Sequence, residues 1–145
     1  MNCRTVLALL VSAMAGLAGC KDLGSEPLSI PPTPKGGYVY SAFDSNSAPI
    51  ARGWFTIVLS DTGTVSGEWH IQSIANRGDI GPQSGDGQLT GALFDTTLHV
   101  NLNPGWADNN VLLTGRFDTA SYHGSWVWAT IVGISNRGTF EAVKN

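Results

Sequence analysis

Charge is scarce in this chain. Asp, Glu, Lys and Arg together supply 13 % of its 145 residues, about half the ~25 % of an ordinary globular protein. Basic residues are the scarcer sign, 8 against 11 acidic, and the net charge is −3. A pI near 5.4 argues against a nucleic-acid binder, which would need a basic patch for the phosphate backbone, so no nucleic-acid partner is expected. Cysteine is nearly absent, with only Cys3 and Cys20. No window carries an apolar period of 3.6 residues, so helices are not expected. Without helices there is no glycine-rich phosphate loop leading into one. No Gly-x-Ser-x-Gly elbow occurs. His70, His99 and His123 lack the spacing of a metal motif. The acidic residues mostly fall in turns, where Asp supports the backbone. Paired carboxylates stay open on sequence grounds, but an enzyme is the least supported class. No catalytic residue, cofactor or metal is expected.

What is present begins with an address. Residues 1–19 hold one charge, Arg4, then an uncharged run from Thr5 to Gly19. That run is shorter than the ~20 residues a membrane-spanning helix needs, and it reads as a secretory signal peptide. It ends Leu17-Ala18-Gly19-Cys20. This ending resembles the lipobox of bacterial lipoproteins, in which small residues precede a Cys. The resemblance implies cleavage between Gly19 and Cys20, and acylation (palmitate and related chains) of Cys20. An ordinary signal peptide with an incidental Cys is the alternative. Processing would remove Cys3 and consume Cys20, leaving a domain with neither disulfide nor thiol. Several acyl chains hold a protein firmly on a membrane, where one alone does not. The expected location is therefore the cell envelope. Lys21 follows the Cys and Asp22 comes one place later, which by the resemblance favours the outer membrane where the host has one.

Residues 20–37 comprise the lipidated Cys and a tether. Pro27, Pro31, Pro32, Pro34, Gly24, Gly36 and Gly37 fall within it. A Pro-rich spacer of this kind reaches roughly 50 Å when extended at about 3.1 Å per residue. A docking motif is the minor alternative.

From 38 to 145 short runs of Val, Ile, Thr, Trp, Tyr and Phe alternate with Gly, Asn, Asp and Pro. Strands are expected near 38–43, 52–60, 64–74, 86–94, 97–102, 110–117, 121–132 and 138–143. Tight turns are expected at Ser60-Asp61-Thr62-Gly63, Phe94-Asp95-Thr96, Phe117-Asp118-Thr119-Ala120 and Ser135-Asn136-Arg137-Gly138. Longer loops fall at 44–51, 76–85 and 103–109. Short consecutive connections favour a meander. An internal echo accompanies it. Asp61-Thr62, Gly67 and Trp69 recur 57 residues later as Asp118-Thr119, Gly124 and Trp126. Duplication, a constraint repeated around a closed sheet, or shared hairpin grammar would each produce it. Closure removes the two edges that an open sheet exposes to aggregation. Gly67, Gly91, Gly115 and Gly124 suit the bends of a tightly coiled sheet. The expected fold is all-β, an eight-stranded antiparallel up-and-down barrel over residues 38–145.

Leu113-Thr114-Gly115-Arg116-Phe117-Asp118, followed by Gly124-Ser125-Trp126-Val127-Trp128, resembles the middle strands of avidin and streptavidin. Gly138-Thr139-Phe140 is similar to the close of avidin-like or lipocalin-like lipoproteins. The likeness covers about a third of the domain and implies the barrel. Gly37-Tyr38-Val39-Tyr40 departs from that family's opening Gly-x-Trp, and its biotin ligands have no counterparts here, so biotin is not predicted.

Alternation sets the faces. Val65, Gly67, Trp69 and Ile71 should point inward, with Glu68 and His70 outward. Tyr122, Gly124, Trp126, Trp128 and Thr130 share one face, and the opposite face of that strand is also apolar. Trp54, Trp69, Tyr122, Trp126 and Trp128 would line a cup for a small apolar or sugar-like ligand, or simply fill a core. Trp106, in Asn103-Pro104-Gly105-Trp106-Ala107-Asp108, is a candidate lid or contact residue. Arg77 and Arg137 would form an anion-binding rim or lie solvated. The first functional expectation is a non-catalytic binding module on a lipid-anchored envelope protein. The alternative is a protein-contact module with a filled barrel, using its apolar outer strands for self-association, an envelope partner or protease-inhibitor-like capture.

Overall fold

The computed structural model describes residues 30–74 and 80–145. The expected signal peptide, Gly19, Cys20, the first part of the expected tether and Arg77 lie outside the described residues. Nine antiparallel strands follow in chain order: β1 Tyr38–Asp44, β2 Pro49–Phe55, β3 Val58–Leu59, β4 Thr64–Ser73, β5 Gly85–Phe94, β6 Thr97–Asn101, β7 Asn110–Phe117, β8 Ser121–Thr130 and β9 Gly133–Lys144. Each pairs with its neighbour in sequence from β4 round to β9, and β9 returns to β1. β2 pairs with β4 through Ala51↔Ser73 to Phe55↔Trp69, which closes the ring. β3 pairs with the other half of β4, so β2 and β3 are one interrupted stave. The result is a closed, eight-stave, up-and-down barrel.

The interruption has a local cause. Thr56 folds over Gly67, where a Cβ would stand 2.0 Å from the Thr56 carbonyl oxygen. The Thr56 N–H donates to the Glu68 carbonyl at 2.8 Å, and its hydroxyl accepts from the Glu68 N–H at 2.9 Å. A continuous strand over 52–60 is thereby corrected to two pieces. The stave also starts earlier than expected, because Pro49 already pairs with Phe43.

One end of the barrel carries the tight turns. Asp118 caps its turn by accepting from the N–H groups of Ala120 (2.8 Å) and Ser121 (2.7 Å). Those two bonds hold its carboxyl below the ordinary carboxylate range. Ser60 accepts from the Thr64 N–H at 3.0 Å, and Gly63 takes φ 83°. Asp95, at φ 54°, turns β5 into β6. The opposite end carries the 45–48 turn, the β4–β5 and β6–β7 loops, and the β8–β9 hairpin tip. That tip corrects the sequence reading. Ser135-Asn136-Arg137-Gly138 lies within β9, not in a turn. The chain reverses at Ile131-Val132, with Gly133 at φ 117°. Gly138 is there for close approach: a Cβ would meet the Phe43 carbonyl oxygen at 2.0 Å and the Trp126 indole nitrogen at 2.6 Å.

The interior is filled. Tyr38, Tyr40, Phe55, Tyr122 and Phe140 are buried, and Tyr122 and Phe140 meet edge-to-face with centroids 4.7 Å apart. Val65, Trp69 and Ile71 face inward while Glu68 points out. At the loop end Ile80 to Ser84 plugs the barrel. Gln83 is fully buried, accepts from the Tyr40 hydroxyl at 3.1 Å, and donates to the Ile80 carbonyl at 2.8 Å. Among the described residues no buried side-chain nitrogen or oxygen lacks a partner, as a dry core requires.

Two consequences can be measured. Gly138→Ala should destabilise by about 3 kcal/mol, the upper range for overpacking, read as a lower denaturation midpoint with unchanged slope. Burial raises the phenol pKa of Tyr40 and Tyr122, and burial with the nearby Asp118 raises that of Tyr38. A phenol raised in the fold stabilises it below the unfolded value near ~10, and that stability is lost as pH rises above it. These are all three tyrosines of the chain. Tyrosinate absorbance should therefore appear only together with unfolding; a free titration near pH ~10 in the folded protein would contradict this packing.

Candidate functional site

Two tryptophans staple the barrel in the same way. Trp69 on β4 is paired with Gly87 on β5. Its indole crosses that glycine and donates to the Leu102 carbonyl, beyond β6, at 2.7 Å. Trp126 on β8 is paired with Gly138 on β9. Its indole crosses that glycine and donates to the Phe43 carbonyl on β1 at 2.9 Å. The 57-residue echo thus carries a shared geometry: Trp, paired glycine, and a carbonyl two staves away. At Gly138 only glycine permits it, because a Cβ would meet backbone and indole at 2.0 and 2.6 Å, and at Gly87 a Cβ would press on the indole at 3.0 to 3.2 Å.

The two copies differ in what lies over the glycine. At Gly138 the backbone of β1 closes the gap. At Gly87 the three nearest heavy atoms to a Cβ are all Trp69 ring atoms, at 3.0 to 3.2 Å. There the wall is open, and a groove of about 310 Å³ lies between the β4–β5 and β6–β7 loops. Trp69, Ser84, Asp86, Gln88, Asn103 and Trp106 border it. A second groove of about 250 Å³ continues past Asp86, Gly87 and Gln88 onto the outer wall, reaching Glu68, His70 and Trp54.

The loops are held in place by side-chain amides. Asn103 accepts from the Val111 N–H at 3.2 Å and donates to the Pro82 carbonyl at 3.1 Å, tying the two loops together. Asn101 donates to Asn110 at 2.9 Å across the base of the β6–β7 loop. Trp106 stands on this braced loop with 57 % of its surface exposed. Gln88 donates to Glu68 at 3.3 Å, so its amide is oriented along the outer groove.

The candidate aromatics separate into two groups. Trp69 and Trp106 meet at the rim groove, and Trp54 lies in the adjoining outer one. Trp54 points outward rather than into the barrel; it stacks on His70 with centroids 6.1 Å apart and donates to the Pro31 carbonyl at 3.0 Å. Residues 30–37, part of the expected tether, therefore run against the barrel. Gly37 is buried and Asn145 donates to the Thr33 carbonyl at 3.3 Å. Tyr122 and Trp126 are buried in the filled interior, with Tyr122 donating to the Leu98 carbonyl at 3.0 Å. Trp128 lies under the loop-end plug, its ring 2.6 Å from where a Gly81 Cβ would be, and its indole donates to Asn109. Tyr122 and Trp126 are out of reach of a solute, and Trp128 is half-buried against the core.

Sequence reasoning did not single out Gly87, Gln88, Asp86 or Gln83. Gly87 carried a signal, since Gly-Asp-Gly inside a strand marks a close backbone approach. Gln83, in a polar loop, carried none. Arg137 is exposed on β9 and its expected companion Arg77 is outside the described residues. Among the described residues no group of three His, Cys, Asp or Glu side chains is placed to hold a metal ion, and no helix is long and apolar enough to cross a membrane. No family model matches the chain, and no curated protein matches it.

Proposed function

We propose that this chain is a lipid-anchored envelope protein whose barrel binds a sugar-like ligand on its outside, along the groove from Trp106 past Gly87 to Trp54. The observation that carries the reading is the open wall at Gly87. Its counterpart at Gly138 is sealed by backbone, whereas here the buried Trp69 ring forms the floor of a groove beneath a braced, exposed tryptophan, Trp106. Sugars present flat C–H faces ringed by hydroxyls. Exposed indoles suit the faces, and Gln88, Asp86, Ser84 and Glu68 offer donors and acceptors to the hydroxyls. A filled interior leaves the exterior as the place for recognition. An open groove suits a chain lying across it better than a small solute wholly enclosed. Non-catalytic binding is the reading, because among the described residues that border the groove no nucleophile is bonded to a base.

A second reading is a protein-contact module. It is favoured by an apolar row on the outer wall, where Val39 is paired with Trp54 on one side and Val143 on the other. Val39 and Val143 are 47 % and 57 % exposed. Self-association, an envelope partner or protease-inhibitor-like capture would use such a row.

The groove is tested by calorimetric titration with N-acetylglucosamine oligomers and soluble peptidoglycan fragments. Trp106→Ala should weaken binding at least tenfold, about 1.4 kcal/mol, without lowering Tm. Gly87→Ala should weaken it as well, by placing a methyl against the Trp69 ring. Trp126→Phe should lower Tm and leave the affinity alone. No binding to any of these glycans, or equal affinity in Trp106→Ala, sinks the groove reading. The contact reading is tested by sedimentation: a concentration-dependent dimer abolished by Val39→Lys is its expected result.

A further inference from the structure

The β8–β9 hairpin ends in an apolar tip. Ile131 is 86 % exposed, Val132 91 % and Ile134 57 %. The pairing of β9 with β1 stops at Asp44↔Gly138, so Gly133–Arg137 pair with β8 alone and the tip stands past the β1 rim. A reversal of two residues between paired Thr130 and Gly133 makes the tip narrow and convex. Leaving β-branched aliphatics this exposed has a cost in water.

We infer that this tip enters the outer layer of a lipid bilayer, as a second membrane contact beside an acyl anchor on Cys20. The inference rests on the lipoprotein reading for the nearness of a membrane. Chain length permits it. The Pro31 carbonyl is bonded to the Trp54 indole on the outer wall of β2, which fixes where the described chain leaves the barrel. Trp54 is level with Val143 through Val39, and from there to Gly133 is about 33 Å along β9, or about 25 Å along the barrel axis at a strand tilt of ~40°. Residues 21–30 reach about 31 Å when extended, so the anchor can lie level with the tip. A convex wedge of aliphatics also suits a deformable lipid phase, and a short one gives weak affinity by itself. Its role is then to orient a barrel that is already tethered. β9 lies four staves from β5 in the ring, so the tip and Gly87 stand on opposite walls, at the same end of the barrel.

The test uses residues 21–145 without an acyl chain, which retain every strand, and phosphatidylcholine vesicles at millimolar lipid. Co-sedimentation should show partition. Ile131→Ser with Val132→Ser should lower the partition coefficient at least tenfold at unchanged Tm. Phe94→Ser, which removes a 65 % exposed aromatic at the opposite end, should change it less than twofold. Absence of partition by the parent protein overturns the inference. So does equal partition by the double variant, or an equal loss in Phe94→Ser. A dimer that the double variant dissolves would assign the tip to a second copy, and also overturns it. Acylation of Cys20 is read separately, from the mass of the full chain after secretion, so failure of the anchor leaves the vesicle result standing.

Discussion

The indole of Trp126, laid across Gly138 and bonded to the Phe43 carbonyl, joins three staves with one side chain. It closes the ring between the last strand and the first. The bond links β8 to β1, which are far apart in sequence and adjacent only through β9. Its geometry needs a glycine on β9, and that glycine brings the β1 backbone into contact. Much of the surrounding order follows from it. The register of β9 is pinned, the reversal is pushed out to Ile131-Val132, and Tyr122 and Phe140 meet edge-to-face below.

The same device at Trp69 and Gly87 leaves a gap instead of a seal, and the difference lies in the third stave. Phe43 brings strand backbone against Gly138. Leu102 belongs to a loop, which accepts the indole hydrogen bond but passes clear of Gly87. The loop then rises to Trp106 and is braced by Asn103 and Asn101. One structural unit, used twice, thus serves closure in one half and a candidate site in the other. The interior between them is occupied by aromatic rings and by Gln83, so a ligand has the rim and the outer wall to bind.

Much of this fold was legible in the sequence because β-structure declares itself locally. Alternation placed Val65, Trp69 and Ile71 inside, and Asp and Gly marked the turns at 60–63, 95–96 and 118–120. The failures share one cause: a residue type that serves turns also serves close approach. Gly138 and Asn136 imitate a hairpin turn, yet the packing of Trp126 against Gly138 keeps them in a strand. Thr56 breaks a stave because Gly67 lies opposite, a pairing that no local window contains. The site was half legible. Trp106 stood out as a large aromatic in a polar loop. Trp54 was assigned to the interior because both faces of its strand are apolar, so alternation could not choose between them. Gln83 was silent, since a buried amide in a Gly-Pro-Gln-Ser loop reads as an ordinary surface residue.

The most direct measurement is hydrogen exchange at the tryptophan indole N–H groups, followed by NMR. A filled, stapled barrel predicts that the Trp126 and Trp69 indole protons exchange only through global unfolding, with the same dependence on denaturant as the core amides. The Trp106 indole should exchange fast. Rapid, denaturant-independent exchange at Trp126 would mean that the seam between β8 and β1 opens by itself, and would contradict the account.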